Sequence, residues 1–530
     1  MSSAPQQPPS TTTTATMPVL KPLTSAMARA LPGGLLLAAG LLLAPSVMAA
    51  TYPVSNNNDS GAGSLRDAIG QANASVGVAD TITFAPNVTG TITLTSGNLQ
   101  VTDPVDIQGP GAAVLTVSGA GIGASLTMGS SATTMAVSDG GVFSFESPYS
   151  GNGSASLQGG AMSTLAATAS SISGLTISGG YANEGGGIYV DNTDLTVDHC
   201  VVTGNSASNQ GGGIWVEGYY NTTQTLTVLD SVISNNAAEV GGGLGTNGSV
   251  LTIQRSSIEG NSATATSYYG GGGIYIHNDS SNALTLDAST VSGNHSGTTG
   301  GGIFIRHSSA TISNSTIAGN TAATYSGGGI YTNSDPTEYA ISISNSTVTG
   351  NSAPLGGGVS VAYDDGSVAI SNSVIADNLA TTDPDLSTDF NSVFVIDHSL
   401  VKDVGTAAIT DNGGNVFSSD PLLGPLQDNG GPTLTRLPLA GSPLIDVGDP
   451  AFTGPPTTDQ RGAGFARIVN GVVDIGATEY AAAAPPVVTQ TVPVPGLDDA
   501  GKLGLGLLLG FAGLAVARRR RDPLEPTNAV

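Results

Sequence analysis

Between residues 185 and 378 the chain repeats one pattern of apolar and polar positions. An eleven-residue phrase, as in Leu195-Thr196-Val197-Asp198-His199-Cys200-Val201-Val202-Thr203-Gly204-Asn205, occurs seven times, the other copies ending at Asn236, Asn261, Asn294, Asn320, Asn351 and Asn378. Its first, third and eighth positions are apolar in nearly every copy (Leu226, Val228, Ile233; Ile341, Ile343, Val348), the alternation of strands with one face turned inward. A triple glycine beginning at Gly185, Gly211, Gly241, Gly271, Gly300, Gly327 and Gly356 alternates with the phrase and leads into a short strand such as Ile188-Tyr189-Val190. The glycine spacings are 26, 30, 30, 29, 27 and 29. A period near thirty built of strands and turns, with no helical stretch, predicts a solenoid of β-coils.

Stacking the coils turns sequence positions into files. The second position of the phrase gives an outward hydroxyl file, Thr196, Thr227, Thr252, Thr285, Thr311 and Ser342. The last gives Asn205, Asn236, Asn261, Asn294, Asn320, Asn351 and Asn378, expected to pass amide hydrogen bonds from coil to coil and to tolerate a left-handed turn. Cys200 shares a file with Ser231, Ser256, Ser289, Ser315, Ser346 and Ser373, which makes it a small packed residue rather than a nucleophile. If Ile188 and Val190 face inward, Tyr189 faces outward together with Trp215, Tyr275, Phe304 and Tyr331. Such an aromatic stripe suits the apolar faces of sugar rings, and mutual stacking that stiffens the solenoid is the alternative. The next outward file reads Asp191, Glu217, Asn247, His277, Arg306 and Asn333.

Composition narrows the partners. Of 530 residues 75 are Gly and only 10% are charged, which suits turns and strands rather than a helical enzyme. A formal net charge of −25 repels phosphate backbones, so no nucleic acid partner is expected. With one cysteine the chain forms no internal disulfide. His199, His277, His295, His307 and His398 put no two rings at ligand spacing on one strand face, so no metal centre or other cofactor is expected. Calcium is left open at the acidic turns Asp364-Asp365 and Asp377 to Asp389.

The ends look like addresses. Residues 1–50 read as a secretory signal: Lys21 and Arg29 precede an apolar run, and small residues up to Ala50 suit a signal peptidase; Met1 and Met17 are both open as starts. Residues 481–497 form an Ala/Pro-rich linker, and in residues 498–530 an apolar segment, 503–517, precedes Arg518 to Arg521. That is the layout of a membrane segment with a cytoplasmic basic stop. With Val492-Pro493-Val494-Pro495 this tail resembles bacterial C-terminal sorting signals of the IPTL-CTERM type, without their usual Trp-containing core. The resemblance implies transient anchoring in the inner membrane and removal of the tail by an exosortase-like enzyme; a plain tail anchor is the alternative.

Thr203-Gly204-Asn205-Ser206-Ala207 followed by Gly211-Gly212-Gly213-Ile214 resembles the repeats of right-handed parallel β-helix proteins of the pectin-lyase-like superfamily, polymorphic outer-membrane proteins in particular. The opening from Asn58 through Ile69, with Asp80 to Phe84, is similar to the start of many such surface proteins. There Ser64 and Asp67 suit the capping pair of a short helix through Asn73 that covers the first coil. Residues 401–480, with Asp428-Asn429-Gly430-Gly431-Pro432-Thr433, Asp459-Gln460-Arg461-Gly462 and Asp474-Ile475-Gly476-Ala477, resemble the choice-of-anchor Q domain. The expected fold is all-β: a single right-handed parallel β-helix of about a dozen coils, with the cap and first coils in residues 51–110 and the repeats in residues 111–400.

These resemblances imply an exported bacterial protein, on the cell surface, in the outer membrane or secreted. The first functional expectation is a non-enzymatic adhesin that binds an extracellular glycan or matrix component through Tyr189, Trp215, Tyr275, Phe304 and Tyr331 and through inserted turns at Tyr219-Tyr220, Tyr268-Tyr269 and Tyr363. The alternative is a polysaccharide hydrolase or lyase with Asp191 and Glu217 as its carboxylates, neighbours on adjacent coils near the separation found in retaining glycosidases. Such a pair needs one member held protonated, and no feature of the sequence supplies that environment. Gly-His-Gly and Arg-x-Lys signatures of polygalacturonase-like chains are also missing, so enzyme activity is not expected. A passive surface-layer component is the third reading.

Overall fold

The computed structural model describes residues 48–119, 143–146 and 169–480, except 192, 219–223, 267–268, 278–282, 334–338, 363–366 and 390. Almost all of the expected signal, the linker and the sorting tail lie outside the described residues, as do Tyr219, Tyr220, Tyr268, Tyr363 and Asp364-Asp365. Among the described residues no helix is long and apolar enough to cross a membrane.

The chain forms a parallel β-solenoid. One coil runs through the strands Ile188–Asp191, Leu195–Asp198, Val201–Thr203 and Ser206–Gln210, and then through the glycines at 211–213 into Ile214–Glu217 of the next. Stacked coils build sheets of 10, 13, 12 and 6 strands with every strand pair parallel, in register as in Leu195↔Leu226 and Val202↔Ile233 except for a shift between Ala182 and Glu184 in the six-stranded sheet. Pairing across a one-residue slip would turn each apolar file outward, so burial of that file fixes the register. The bore is lined by the expected positions: Leu195, Val197 and Val202 are at most 1% exposed, and their equivalents are buried throughout.

Two polar ladders flank this core. The Asn205 N–H and Nδ2 both donate to Asn236 Oδ1 at 3.0 Å, while Nδ2 also reaches the carbonyl of Ile177; the arrangement repeats down to Asn351 and Asn378. The ladder ends on a carboxylate, with Asn378 donating to Asp385 Oδ1 from N and Nδ2 at 3.1 and 2.8 Å. The left-handed residue is not the asparagine, as expected, but the one before it: Gly204, Asn235, Gly260 and Asp377 have φ of 65°, 54°, 63° and 59°. A second ladder, not foreseen as one, runs down the serine file, each N–H donating to the next hydroxyl from Cys200 and Ser231 to Ser373 and Ser399. Cys200 is its first member, buried, with its thiol pushed up to about 11 by burial.

Each triple glycine has two reasons to be glycine. The first member is left-handed, as at Gly211 (φ 62°). At Gly212 and Gly213 a Cβ would sit 2.4 Å from backbone atoms of the next coil, so nothing larger fits. The helix Leu65–Ala72 covers the first coils: Ser64 Oγ accepts from Asp67 N at 3.1 Å, and Asp67 Oδ2 accepts from Gly63 N at 2.9 Å.

At the other end the sheets run on past residue 400 to the strands Ile409–Asp411 and Val416–Phe417. The following chain to Tyr480 folds back as a strap along the outside of the 12-stranded sheet. Leu444 and Ile475 pack on Val374, Ala376 and Leu400, and Gln460 bonds Thr290 and Thr316 at 2.9 and 2.6 Å. Most residues that carried the resemblance in this region thus serve the strap. Asp459 and Arg461 form a buried ion pair, and the fully buried Arg467 lies 3.6 Å from Glu479.

Candidate functional site

The outer face of the 10-stranded sheet brings the two outward files together. Register places Tyr189, Trp215, Gly245, Tyr275, Phe304 and Tyr331 in line. The file points away from the bore, as expected, but most of its rings are not presented to solvent. Trp215, Phe304 and Tyr331 are 0% exposed, Tyr275 is 6% exposed, and Tyr189 is half-buried. They stack on one another: Tyr275–Phe304 and Phe304–Tyr331 centroids are 5.2 Å apart at 17° and 21°, and Trp215 leans across Gly245 to Tyr275 at 6.3 Å. Val240, Ala265 and Ala362 complete this second apolar cluster. Facing away from the bore is not the same as facing water, because the turns entering the glycines fold back over the sheet. The four buried rings therefore offer no face to a sugar.

The neighbouring file holds the carboxylates. Asp191 is the register partner of Glu217 on the next coil and of Glu146 on the preceding one, so three acidic positions stand in sequence along the stack. Glu146, which precedes the first triple glycine, was not singled out there. Neighbouring strands lie ~4.8 Å apart, which puts the Asp191 and Glu217 side chains on the same outward line one coil apart. Asp191 is 7% exposed. Burial pushes the Glu217 carboxyl above its ordinary value, and the charge of Asp191 adds to the rise. Two donors work against it: Trp215 Nε1 to Glu217 Oε2 at 3.0 Å, and Asn247 Nδ2 to Glu217 Oε1 at 2.9 Å. Net elevation means burial wins, and the same two bonds hold the carboxyl in one orientation. The upward direction of the shift is the one an acid of such a pair needs, and the sequence did not reveal it.

Downstream the same file becomes basic. His277 and Arg306 follow Asn247, and the His277 and His307 rings lie 6.1 Å apart. Arg306 reaches a residue of the inserted turn, Tyr269, with Nη1 donating to its hydroxyl at 2.9 Å and the guanidinium 5.0 Å from its ring centre.

The acidic turn is occupied by its own structure. Asp377 pairs with Lys402 at 2.6 Å, Asp383 accepts from Thr406 N and Oγ1 at 2.7 and 2.8 Å, and Asp385 ends the asparagine ladder. Burial pushes Asp385 up to about 6 against the bonds from Asn378 and Asp403. Among the described residues, Asp198, His199 and Asp230 alone come close enough to share an ion. Arg255 already engages both Asp230 oxygens at 2.9 and 2.6 Å, and Asp198 holds the His199 ring at 2.7 Å.

The family model for a right-handed β-helix region matches residues 165–336. No curated protein matches the chain. Among solved structures the chain is similar to the pectate lyase Pel9A, with 13% identity over 82% of this chain and 97% of that one and a TM-score of 0.38. It is also similar to the catalytic domain of a GH87 alpha-1,3-glucanase in complex with nigerose, with 13% identity over 68% and 69% of the two chains and a TM-score of 0.24. Both are carbohydrate-active enzymes by name. The expectation that this chain is not an enzyme is corrected at one of its two grounds: a carboxyl shielded enough to be raised, said to be lacking, is found at Glu217. Matched by that family model over its repeats, the chain is an all-β, right-handed parallel β-helix whose outer face carries an in-register carboxylate pair.

Proposed function

We propose that the protein acts on a polysaccharide, outside the cell that makes it, and that its reaction is glycosidic bond hydrolysis by Asp191 and Glu217. The observation that carries this reading is the in-register pair with unequal environments: Glu217 shielded, oriented by two donors and shifted toward its protonated form, beside Asp191 one strand away. In this assignment Glu217 gives its proton to the glycosidic oxygen as the bond to the anomeric carbon breaks. Asp191 meets the positive charge that develops there, as a nucleophile if the two carboxyls stand at the short separation of a retaining pair. Water then completes the exchange, with Glu217 as base.

The test is release of reducing ends by the full-length protein from a panel of alpha-1,3-glucan, polygalacturonate and beta-linked glucans. Turnover is expected on at least one, and Glu217→Gln is expected to reduce it by about a thousandfold or more, on the scale of losing an acid–base catalyst. Absence of turnover on the whole panel, or an active Glu217→Gln variant, overturns the assignment. A glycan-binding role on the cell surface is the second reading. It is favoured by Tyr181, Tyr269 and Tyr325, which are 43%, 37% and 46% exposed where the stacked rings are not.

A further inference from the structure

Tyr269 differs from the other aromatic residues on this face. It comes from the turn that enters the glycines at 271–273 and is 37% exposed, while Phe304 beneath it is 0% exposed. Its ring meets Phe304 edge-on, with centroids 6.3 Å apart at 75°. The Arg306 guanidinium lies 5.0 Å from the ring centre and bonds the hydroxyl at 2.9 Å, and Thr298 Oγ1 donates to the Tyr269 carbonyl at 2.8 Å. An exposed ring is thus fixed by Phe304, by Arg306 over one face and at its hydroxyl, and through its backbone, so little freedom remains to be lost when a ligand stacks on its other face.

Its surroundings are donors. Arg306 occupies the same outward file as Glu217, three strands further along, and His277 lies between them beside His307. An exposed aromatic ring flanked by guanidinium and imidazole groups has the chemistry to grip a pyranose: C–H groups lie on the ring while hydroxyl or carboxylate oxygens accept from the nitrogens. Three strand steps at ~4.8 Å place this position about 14 Å from Glu217 along the stack. Both groups stand on one face, so one chain of several sugar units laid along the solenoid axis would touch them together.

We infer that Tyr269, with Arg306 and His277, forms a distal sugar-binding subsite, which makes the substrate of the Asp191–Glu217 pair an extended polysaccharide chain rather than a disaccharide. This rests on the reading proposed above for that pair, but its test does not require turnover. The full-length Glu217→Gln protein is titrated by calorimetry with nigero-oligosaccharides, cello-oligosaccharides and oligogalacturonates from disaccharide to hexasaccharide. Affinity is expected to rise with length for at least one series. Tyr269→Ala is expected to weaken hexasaccharide binding about tenfold, the scale of one aromatic contact, and to leave the disaccharide unchanged. Tyr269→Phe keeps the ring and should retain most of the affinity. A larger loss for oligogalacturonates than for the neutral series in Arg306→Gln would assign a carboxylate to the subsite, and an equal loss would assign hydroxyls.

Binding that ignores chain length, binding unchanged in Tyr269→Ala, or no binding by any probe overturns the subsite. Length-dependent binding through Tyr269 in a protein that never releases reducing ends leaves the subsite standing and removes only the hydrolytic assignment.

Discussion

Asn261 shows how little tolerance the repeat leaves to a single residue. Its Oδ1 accepts from both nitrogens of Asn236, and its Nδ2 divides between Ile233 O and Asn294 Oδ1, all within 2.9–3.0 Å and 1% exposed. Asn261→Ala leaves the Asn236 N–H without its partner and takes one donor from the Ile233 carbonyl in a dry site. A loss of about 2–4 kcal/mol is expected in urea unfolding, since each orphaned group costs roughly 1–3 kcal/mol. Thr252, in the outward hydroxyl file of the same coil, is half-exposed, and Thr252→Ala should cost less than about 0.5 kcal/mol in the same assay. Glu217 is the residue where chemistry and stability meet. Its carboxyl is raised, so acid catalysis should persist at pH above the ordinary carboxylate range and fall as pH climbs through the shifted value. Asn247→Ala removes one of the two bonds that favour the ionised form, and the basic limb of the pH–rate profile should move further upward. A profile that does not move would show that Asn247 has no hold on the acid.

At the scale of the element, alternation within strands was legible and exposure was not. The register of Ile188–Asp191 on Ile214–Glu217 follows from which residues are apolar, and it brings Asp191 beside Glu217 as the repeat alone required. What covers the outer face depends on turns of irregular length and composition, such as the one carrying Ala265 and Tyr269, and the repeat says nothing about where these fold. The stripe therefore contains the expected residues in the expected order but lies under its own turns, and the ring that reaches solvent comes from an insertion. The elevation of Glu217 was invisible because alternation sets which way a residue points and not how deeply it is buried. Buried stacking implies a stability role for these rings. Phe304→Ala should cost about 3–5 kcal/mol in chemical denaturation. Gly245→Ala, whose Cβ would meet the Trp215 ring at 2.7 Å, should cost about 1–3 kcal/mol unless that ring moves.

Over the whole molecule, acid and base act on opposite sides of a stability maximum. Asp385 is raised to about 6 and Glu479 to about 8, both by burial; each binds its proton more tightly in the folded chain than in the unfolded one. Their contribution is complete below the ordinary carboxyl range and is lost as pH rises through about 6 and then about 8. Self-repulsion at a net charge of −25 works in the same direction. Asp59 opposes them: burial alone would raise it, but its bonds to Arg66, Ser96 and Thr95 hold it well below the usual range, so its contribution disappears in strong acid. The thermal midpoint should therefore rise as pH is lowered from 9 to about 5 and fall again below about 3. Glu479→Gln should flatten the alkaline part of that curve, as read by calorimetry across pH.

One property of the asparagine ladder reaches further than stability. Every amide passes one of its hydrogens to the next asparagine toward the C-terminus, and the series needs a terminus that receives without giving, which Asp385 provides. Any unit between that terminator and Asn205 is interchangeable with its neighbours, because each one presents the same acceptor behind and the same donor ahead. A gene encoding such a chain can gain or shed whole units by unequal recombination without exposing an unmatched end, so the length of the rod, and with it the length of surface it offers, is free to drift while both closures stay as they are.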